Sequence, residues 1–270
     1  MSYSIFFVLK AHPLNVASTN NRQPFRKITF GKSIAPMLIL LLLVPLAGRS
    51  QETRSQSIYW IRYQNQLLFS EKLYWNNELD NRRFFAPDVQ HQLIFHSRLH
   101  YKIKKFDYGA GLTVSWAYAQ FPEEPVAHPT MEIRPVVEVT HENKIRNWII
   151  QNRVRLDNRF FEADKNENIL EHSRYTARLR YRFQLRIPLL QKDGSMLAGM
   201  RIADEVMLNH RQNTFDQNRV YVSLDLHLSK KISLETGYIY IYQQRFGTED
   251  FFNRHVLRFS VLHKIPARKA

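Results

Sequence analysis

RYTARLRYRFQLRI, residues 174–187, is the stretch whose reading decides the fold. Tyr175, Ala177, Leu179, Tyr181, Phe183, Leu185 and Ile187 alternate without a break with Arg174, Thr176, Arg178, Arg180, Arg182, Gln184 and Arg186. Successive side chains of a strand point to opposite faces, so this segment has one apolar and one cationic face. Wound as a helix, it would spread arginine around every side and leave no face to bury.

Other segments repeat the pattern. Val220, Val222, Leu224, Leu226 and Leu228 oppose Arg219, Tyr221, Ser223, Asp225 and His227. Trp148, Ile150, Val154 and Leu156 oppose Gln151, Arg153, Arg155 and Asp157, with Asn152 a polar intruder on the apolar side. Leu93, Phe95, Leu99 and Tyr101 oppose Gln92, His96, Arg98, His100 and Lys102. Each segment runs about ten to fourteen residues, longer than the five or six usual in soluble sheets and enough for a tilted membrane strand. Short links at 70–72, 104–105, 142–144, 191–194 and 230–231 alternate with longer ones at 85–89, 121–129, 162–171, 210–216 and 247–252. That rhythm matches periplasmic turns and extracellular loops, and it sends the last strand, about 253–265, down to a periplasmic C-terminus. The count is eleven candidate strands from about Ser57, whereas closed antiparallel bacterial barrels have even numbers. The expected fold is therefore an all-β, up-and-down antiparallel transmembrane barrel of about 10–12 strands, its parity open.

The 270 residues carry a formal charge of +15, no cysteine, 8 glycines, 11 prolines and 13% aromatics. Without cysteine there are no disulfides, thiolate metal sites or cysteine nucleophiles. Lys10, Arg22, Arg26, Lys27, Lys32 and Arg49 are the charges of the first 50 residues, so their removal leaves +9. The run IAPMLILLLLVPLA at 34–47 is too short for a membrane helix and follows basic residues, as a signal-peptide core does. Gly48 and Ser50 place a cut before Gln51, with an uncleaved anchor or a buried helix as the alternative. The long segment before the run suggests a true start nearer Met37. Residues 1–50 are set apart as extension and signal, and 51–270 as the barrel domain. Trp60, Tyr74, Trp75, Trp116, Tyr118, Trp148, Tyr238, Tyr240 and Tyr242 fall on strands, several near the ends where interfacial girdles lie.

With the apolar faces outward, Arg62, Arg82, Arg98, Arg134, Arg153, Arg155, Arg178, Arg180, Arg182, Arg201 and Arg219 face the lumen with Glu78, Asp80, Glu138, Asp157, Glu205, Asp225 and Glu235. One reading is a structural ladder of ion pairs; the other is an anion-selective pore or a site for phosphate or carboxylate. There is no Gly-x-Ser-x-Gly, phosphate-binding loop or His-Glu-x-x-His. His96, Ser97, His100, Ser115, His227 and Ser260 are the residues from which a Ser/His pair would be drawn, and enzyme activity stays open. Asp204 and Glu205 are neighbours on a strand and face opposite sides, so they form no dyad. The arginines alternate with apolar residues and do not cluster on one solvent face, which argues against nucleic acid.

Arg178-Leu179-Arg180-Tyr181-Arg182, Asp204-Glu205 with Asn209, Phe215-Asp216-Gln217-Asn218-Arg219 and Glu235-Thr236-Gly237-Tyr238, in that order, carry a resemblance. The chain resembles domain-of-unknown-function family 2490 over about residues 57–265. That resemblance implies an exported outer-membrane barrel of a Gram-negative, Bacteroidetes-type bacterium and no assigned activity. Parity on adjacent strands makes Arg219 the expected ion-pair partner of Glu205, and Glu78, Glu205, Arg180 and Arg219 one buried network; Asn218 has the opposite parity and is expected at the strand entrance. No cofactor is expected. The expected partners are outer-membrane lipid and lipopolysaccharide, barrel-assembly machinery and a small anionic ligand. The alternatives are an outer-membrane enzyme acting on lipid or lipopolysaccharide, and a soluble periplasmic β-barrel binder.

Overall fold

The computed structural model describes residues 53–267 except 125, 127, 163–172, 193–194, 212 and 246–247. The segment 1–50 expected to be an extension and export signal, and most of the 162–171 link, lie outside the described residues. Eleven strands follow one another: β1 (Thr53–Leu68), β2 (Leu73–Phe84), β3 (Gln90–Ile103), β4 (Phe106–Ala117), β5 (Thr130–Ile145), β6 (Trp148–Glu162), β7 (Ser173–Lys192), β8 (Ser195–Asn209), β9 (Phe215–His227), β10 (Ile232–Gln244) and β11 (Phe251–Pro266). Each pairs antiparallel with its chain neighbours, and the sheet closes on itself. Closure is the departure from a fully up-and-down barrel. With an odd count, first and last strands run the same way, and β1 meets β11 in parallel from Thr53–Phe251 to Leu68–Pro266. Thr53 therefore sits at the rim of the longer links and Pro266 at the rim of the short turns.

Alternation holds around the whole wall. Outward positions carry exposed apolar side chains such as Leu99 (50% exposed), Val137 (52%) and Leu228 (64%), while Asp80, Asp157 and Thr113 on the inner face have no exposure. On β3 the outward apolar residues from Leu93 to Ile103 span roughly 25 Å of barrel height, taking about 3.3 Å per residue and a tilt near 40°. Polar residues that interrupt this band are bonded sideways. Tyr181 donates to Asn152 at 2.7 Å, Tyr175 to Asn158 at 2.9 Å, and Tyr240 to Asn253 at 3.0 Å. Trp60 and Tyr74 are corrections to the expected girdle: they share parity with Arg62 and Asn76 and point inward, 3% and 8% exposed.

Breaks in the ladder fall where the backbone chemistry requires them. Proline lacks an N–H, and the β5–β6 pairing passes from Val136–Asp157 to Ile133–Phe160, skipping Pro135. Register also shifts at Pro188 in β7. The β5–β6 turn lies at Arg146-Asn147 and not at 142–144, because Ile145 pairs with Trp148 and keeps both on the apolar exterior. Lys104 and Arg146 take φ of 52° and 55°, the left-handed conformation that two-residue hairpins demand. Outside the wall, Arg83 at 2.6 Å and Tyr59 at 2.9 Å bond Asp88 and hold its carboxyl below the usual range.

Two glycines mark places where neighbouring strands leave no room. A Cβ on Gly111 would stand 2.0 Å from the Ser97 carbonyl oxygen, and one on Gly237 would stand 2.4 Å from Ser223 Cβ. At Gly199 the nearest atom is the flexible Met196 Sδ, 2.9 Å away. Gly111→Ala and Gly237→Ala should each lower stability by about 1–3 kcal/mol and Gly199→Ala by less than about 1 kcal/mol, read from thermal unfolding in detergent.

Candidate functional site: an arginine-lined lumen

The inner faces enclose a cavity of about 950 Å³ whose wall runs from Lys104 and Lys105 at the short-turn end to Tyr118 and Gln120 at the other. Among the described residues, fifteen arginines and five lysines line it against seven carboxylates. The lumen retains open space because the long side chains lie along the wall and bond to strands one or two places away.

One continuous network runs from β1 to β9. Arg62 grips Asp80 with two bonds of 2.5 and 2.9 Å, and Arg82 reaches the same carboxylate at 3.1 Å. Arg62 lies 3.6 Å from Glu78, which also accepts a short bond from Arg98. Arg98 and Arg153 flank Glu138 at 3.6 and 3.7 Å. Arg153 continues to Glu205 at 2.6 Å, and Arg180 binds both oxygens of Glu205 at 2.9 and 3.0 Å. Asp157 gathers Arg155 at 2.5 Å, Arg178 at 2.8 Å and Arg180 at 3.5 Å, and Arg178 reaches Asp216 at 2.9 Å. A second network serves the turn-end half: Asp225 takes Arg201 at 2.8 Å and Arg186 at 3.6 Å, while Glu235 takes Arg201 at 3.0 Å and a short bond from Arg258.

These positions sort the residues singled out in the sequence. Glu78, Arg153, Arg155, Arg178, Arg180 and Glu205 lie in the first network; Asp225 and Glu235 lie in the second. Arg182 and Arg219 stand outside both, with no carboxylate within 4.0 Å among the described residues. The expected Glu205–Arg219 ion pair is absent, although the two residues do face each other in the β8–β9 register. Glu205 is already filled by Arg180, Arg153 and the Tyr221 hydroxyl at 2.9 Å, and Arg219 turns to the Gln217 side-chain oxygen at 3.0 Å. Asn218 faces outward and donates to Asp204 at 2.6 Å.

A register shift between Met207 and Leu208 leaves Asp216 as an extra residue on β9, so Asp216 and Gln217 both turn inward. Simple alternation hides that bulge. Arg159, Arg254, Arg258 and Glu132 also belong to the lumen and were passed over; continuing the period of two along β6, β5 and β11 from Arg155, Glu138 and Ser260 would have found them. None of the serine and histidine candidates completes a nucleophile chain. Ser115 bonds Glu132 at 3.4 Å, Ser97 bonds Asn77 on the exterior, and His96 bonds Thr113 at 2.7 Å. His100 bonds Asp107 at 2.9 Å without a serine. His227 meets Ser233 at 2.7 Å with no carboxylate within 4.0 Å among the described residues.

The family model described as "Protein of unknown function (DUF2490)" matches residues 58–252. The chain belongs to this family. No curated protein and no solved structure matches it. The matched span covers the bulged Phe215–Arg219 stretch and both lumen networks up to Phe252, so the family's shared sequence and the charged interior occupy the same part of the chain.

Removing one partner of a buried ion pair strands the others. Glu205→Ala, which removes the carboxylate nearest to Arg153 and Arg180 and leaves them only the longer contacts to Glu138 and Asp157, should cost about 3–5 kcal/mol of stability. Arg219→Gln should cost less than about 1 kcal/mol. Urea unfolding in detergent separates the two, and equal losses would contradict this division of the lumen.

Proposed function

We propose that this protein is exported to the outer membrane of a Gram-negative bacterium and spans it as a barrel whose arginine-lined lumen holds or passes small anions. Its short turns and C-terminus face the periplasm, its exterior meets outer-membrane lipid and lipopolysaccharide, and insertion runs through barrel-assembly machinery. One observation carries the reading: every strand of a closed barrel presents large apolar side chains outward, and its polar interruptions bond one another or a neighbouring tyrosine, as Asn152, Asn158 and Asn253 do with tyrosine and Asn218 does with Asp204. Unbonded polar groups are costly in hydrocarbon, so this arrangement suits lipid. Exposed Phe106, Tyr108 and Trp148 beside Lys104, Lys105 and Lys144 suit an interface with anionic headgroups. The excess of lumen cations gives the anion preference.

Val222 faces outward near the middle of β9. Val222→Arg should destabilise the barrel by about 2–4 kcal/mol in a bilayer, as a midplane lipid-facing cation does. A soluble periplasmic barrel would tolerate the change. In planar bilayers across a KCl gradient, the reversal potential should report anion preference. A chain that stays soluble without detergent and leaves bilayers unchanged defeats the proposal.

A further inference from the structure

One stretch of the loop-end wall, on β9 to β11, differs in kind from the rest. Among the described residues, twelve of the fifteen cavity arginines have a carboxylate within 4.0 Å, leaving Arg182, Arg219 and Arg254 without one. Two of these three lie in one register row, Arg254–Ile241–Arg219, across β11, β10 and β9. Glutamine oxygens hold both: Gln217 accepts from Arg219 Nε at 3.0 Å, Gln56 accepts from Arg254 Nε at 2.7 Å, and Gln243 accepts from Arg254 Nη1. A neutral amide oxygen orients a guanidinium without cancelling its charge. Among the described residues, no acceptor takes the Nη groups of Arg219 or Nη2 of Arg254.

Trp60 stands beside them. It is 3% exposed, lines the cavity, and its indole Nε1–H is buried with no acceptor. Arg82 lies 3.9 Å over its ring and Arg219 lies 5.5 Å from the ring centroid. Arg82 spends one nitrogen on Asp80 and one on Gln92, and its Nε is buried without a partner. Donors thus converge here with one shared acidic acceptor, Asp80. The adjoining wall is apolar, made by Ile58 and Ile241 with the ring of Tyr221. The β4–β5 link folds over this end: the Gln120 carbonyl accepts from Gln56 at 2.9 Å, and Phe121 packs on Phe252 at 5.7 Å.

We propose that this chamber binds an oxyanion, a carboxylate or phosphate, carried on an apolar body, with Arg219, Arg254 and the Trp60 N–H on the oxygens and the Ile58–Ile241 wall on the body. The proposal rests on the lumen reading above and sharpens it to one ligand class at one place. The Trp60 N–H and Arg82 Nε are buried donors without acceptors, the costly exception inside proteins, and an oxyanion is the ligand that takes donors alone. The apolar wall then selects a substituted anion over a bare one.

The full-length barrel in detergent can be titrated calorimetrically with phenyl phosphate, benzoate, inorganic phosphate and benzyl alcohol. Phenyl phosphate and benzoate should bind at least about tenfold more tightly than inorganic phosphate, and benzyl alcohol should not bind. Arg219→Gln and Arg254→Gln should each weaken both aryl anions by at least about tenfold. Trp60→Phe, which keeps a ring and removes the N–H, should weaken them several-fold, and Arg182→Gln should leave them unchanged. Equal affinity for inorganic and phenyl phosphate would overturn the apolar half. Undiminished binding in Arg219→Gln and Arg254→Gln would overturn the site. Absence of aryl-anion binding while planar bilayers still show anion preference would overturn the chamber and leave the lumen reading standing; loss of both would remove the two together.

Discussion

Backbone hydrogen bonding closed into a ring is the constraint on which everything else in this molecule depends. Once each strand is paired on both sides, from β1–β2 around to the parallel β1–β11 seam, side chains have only two destinations. A shift of one residue in any strand would exchange its inner and outer faces, so register is fixed by the same alternation that makes the exterior apolar. The bulge at Asp216 is the exception that preserves the rule: it adds one inward residue and leaves Gln217 and Arg219 on the inner face.

The interior divides its cations by the kind of oxygen that holds them. Carboxylates hold most of the arginines in networks that run across several strands, with Glu205 joining β6, β7 and β8 through Arg153 and Arg180. Such groups bear a large desolvation cost, and they are tolerated because each charge meets several opposite ones in good geometry. Amide oxygens hold Arg219 and Arg254, and among the described residues no carboxylate comes within 4.0 Å of either. The two kinds of oxygen thus hold arginines on different stretches of one wall.

The wall was legible in the sequence and the pairing inside it was not. A period of two over 174–187 specifies which residues face in, because parity is a local property of the chain. Link lengths likewise revealed where the chain reverses, with the β5–β6 turn displaced to Arg146-Asn147 because Ile145 and Trp148 prolong the ladder. Partner choice is not local. Parity brought Arg219 opposite Glu205, but arginine is long enough to pass its neighbour, and Arg153 reaches Glu205 from two strands away. Trp60 was misread outward because aromatic residues near strand ends suggest a girdle, although its own parity with Arg62 places it inside. The glutamines that anchor Arg219 and Arg254 carry no charge signal, and only the fold brings Gln56 near Arg254.

That last contact says something about how the barrel comes into being. Gln56 and Arg254 are 198 residues apart in the chain, and they lie on the two strands that form the seam. A pairing between the first and last strands is the most non-local in the molecule, and it has the largest loop-closure cost before any bond rewards it. The seam is therefore the closing event of assembly. Until β11 arrives, β1 keeps a sixteen-residue edge of open donors and acceptors, the surface on which chains aggregate. The time for which that edge stays open is set by the slowest strand pair.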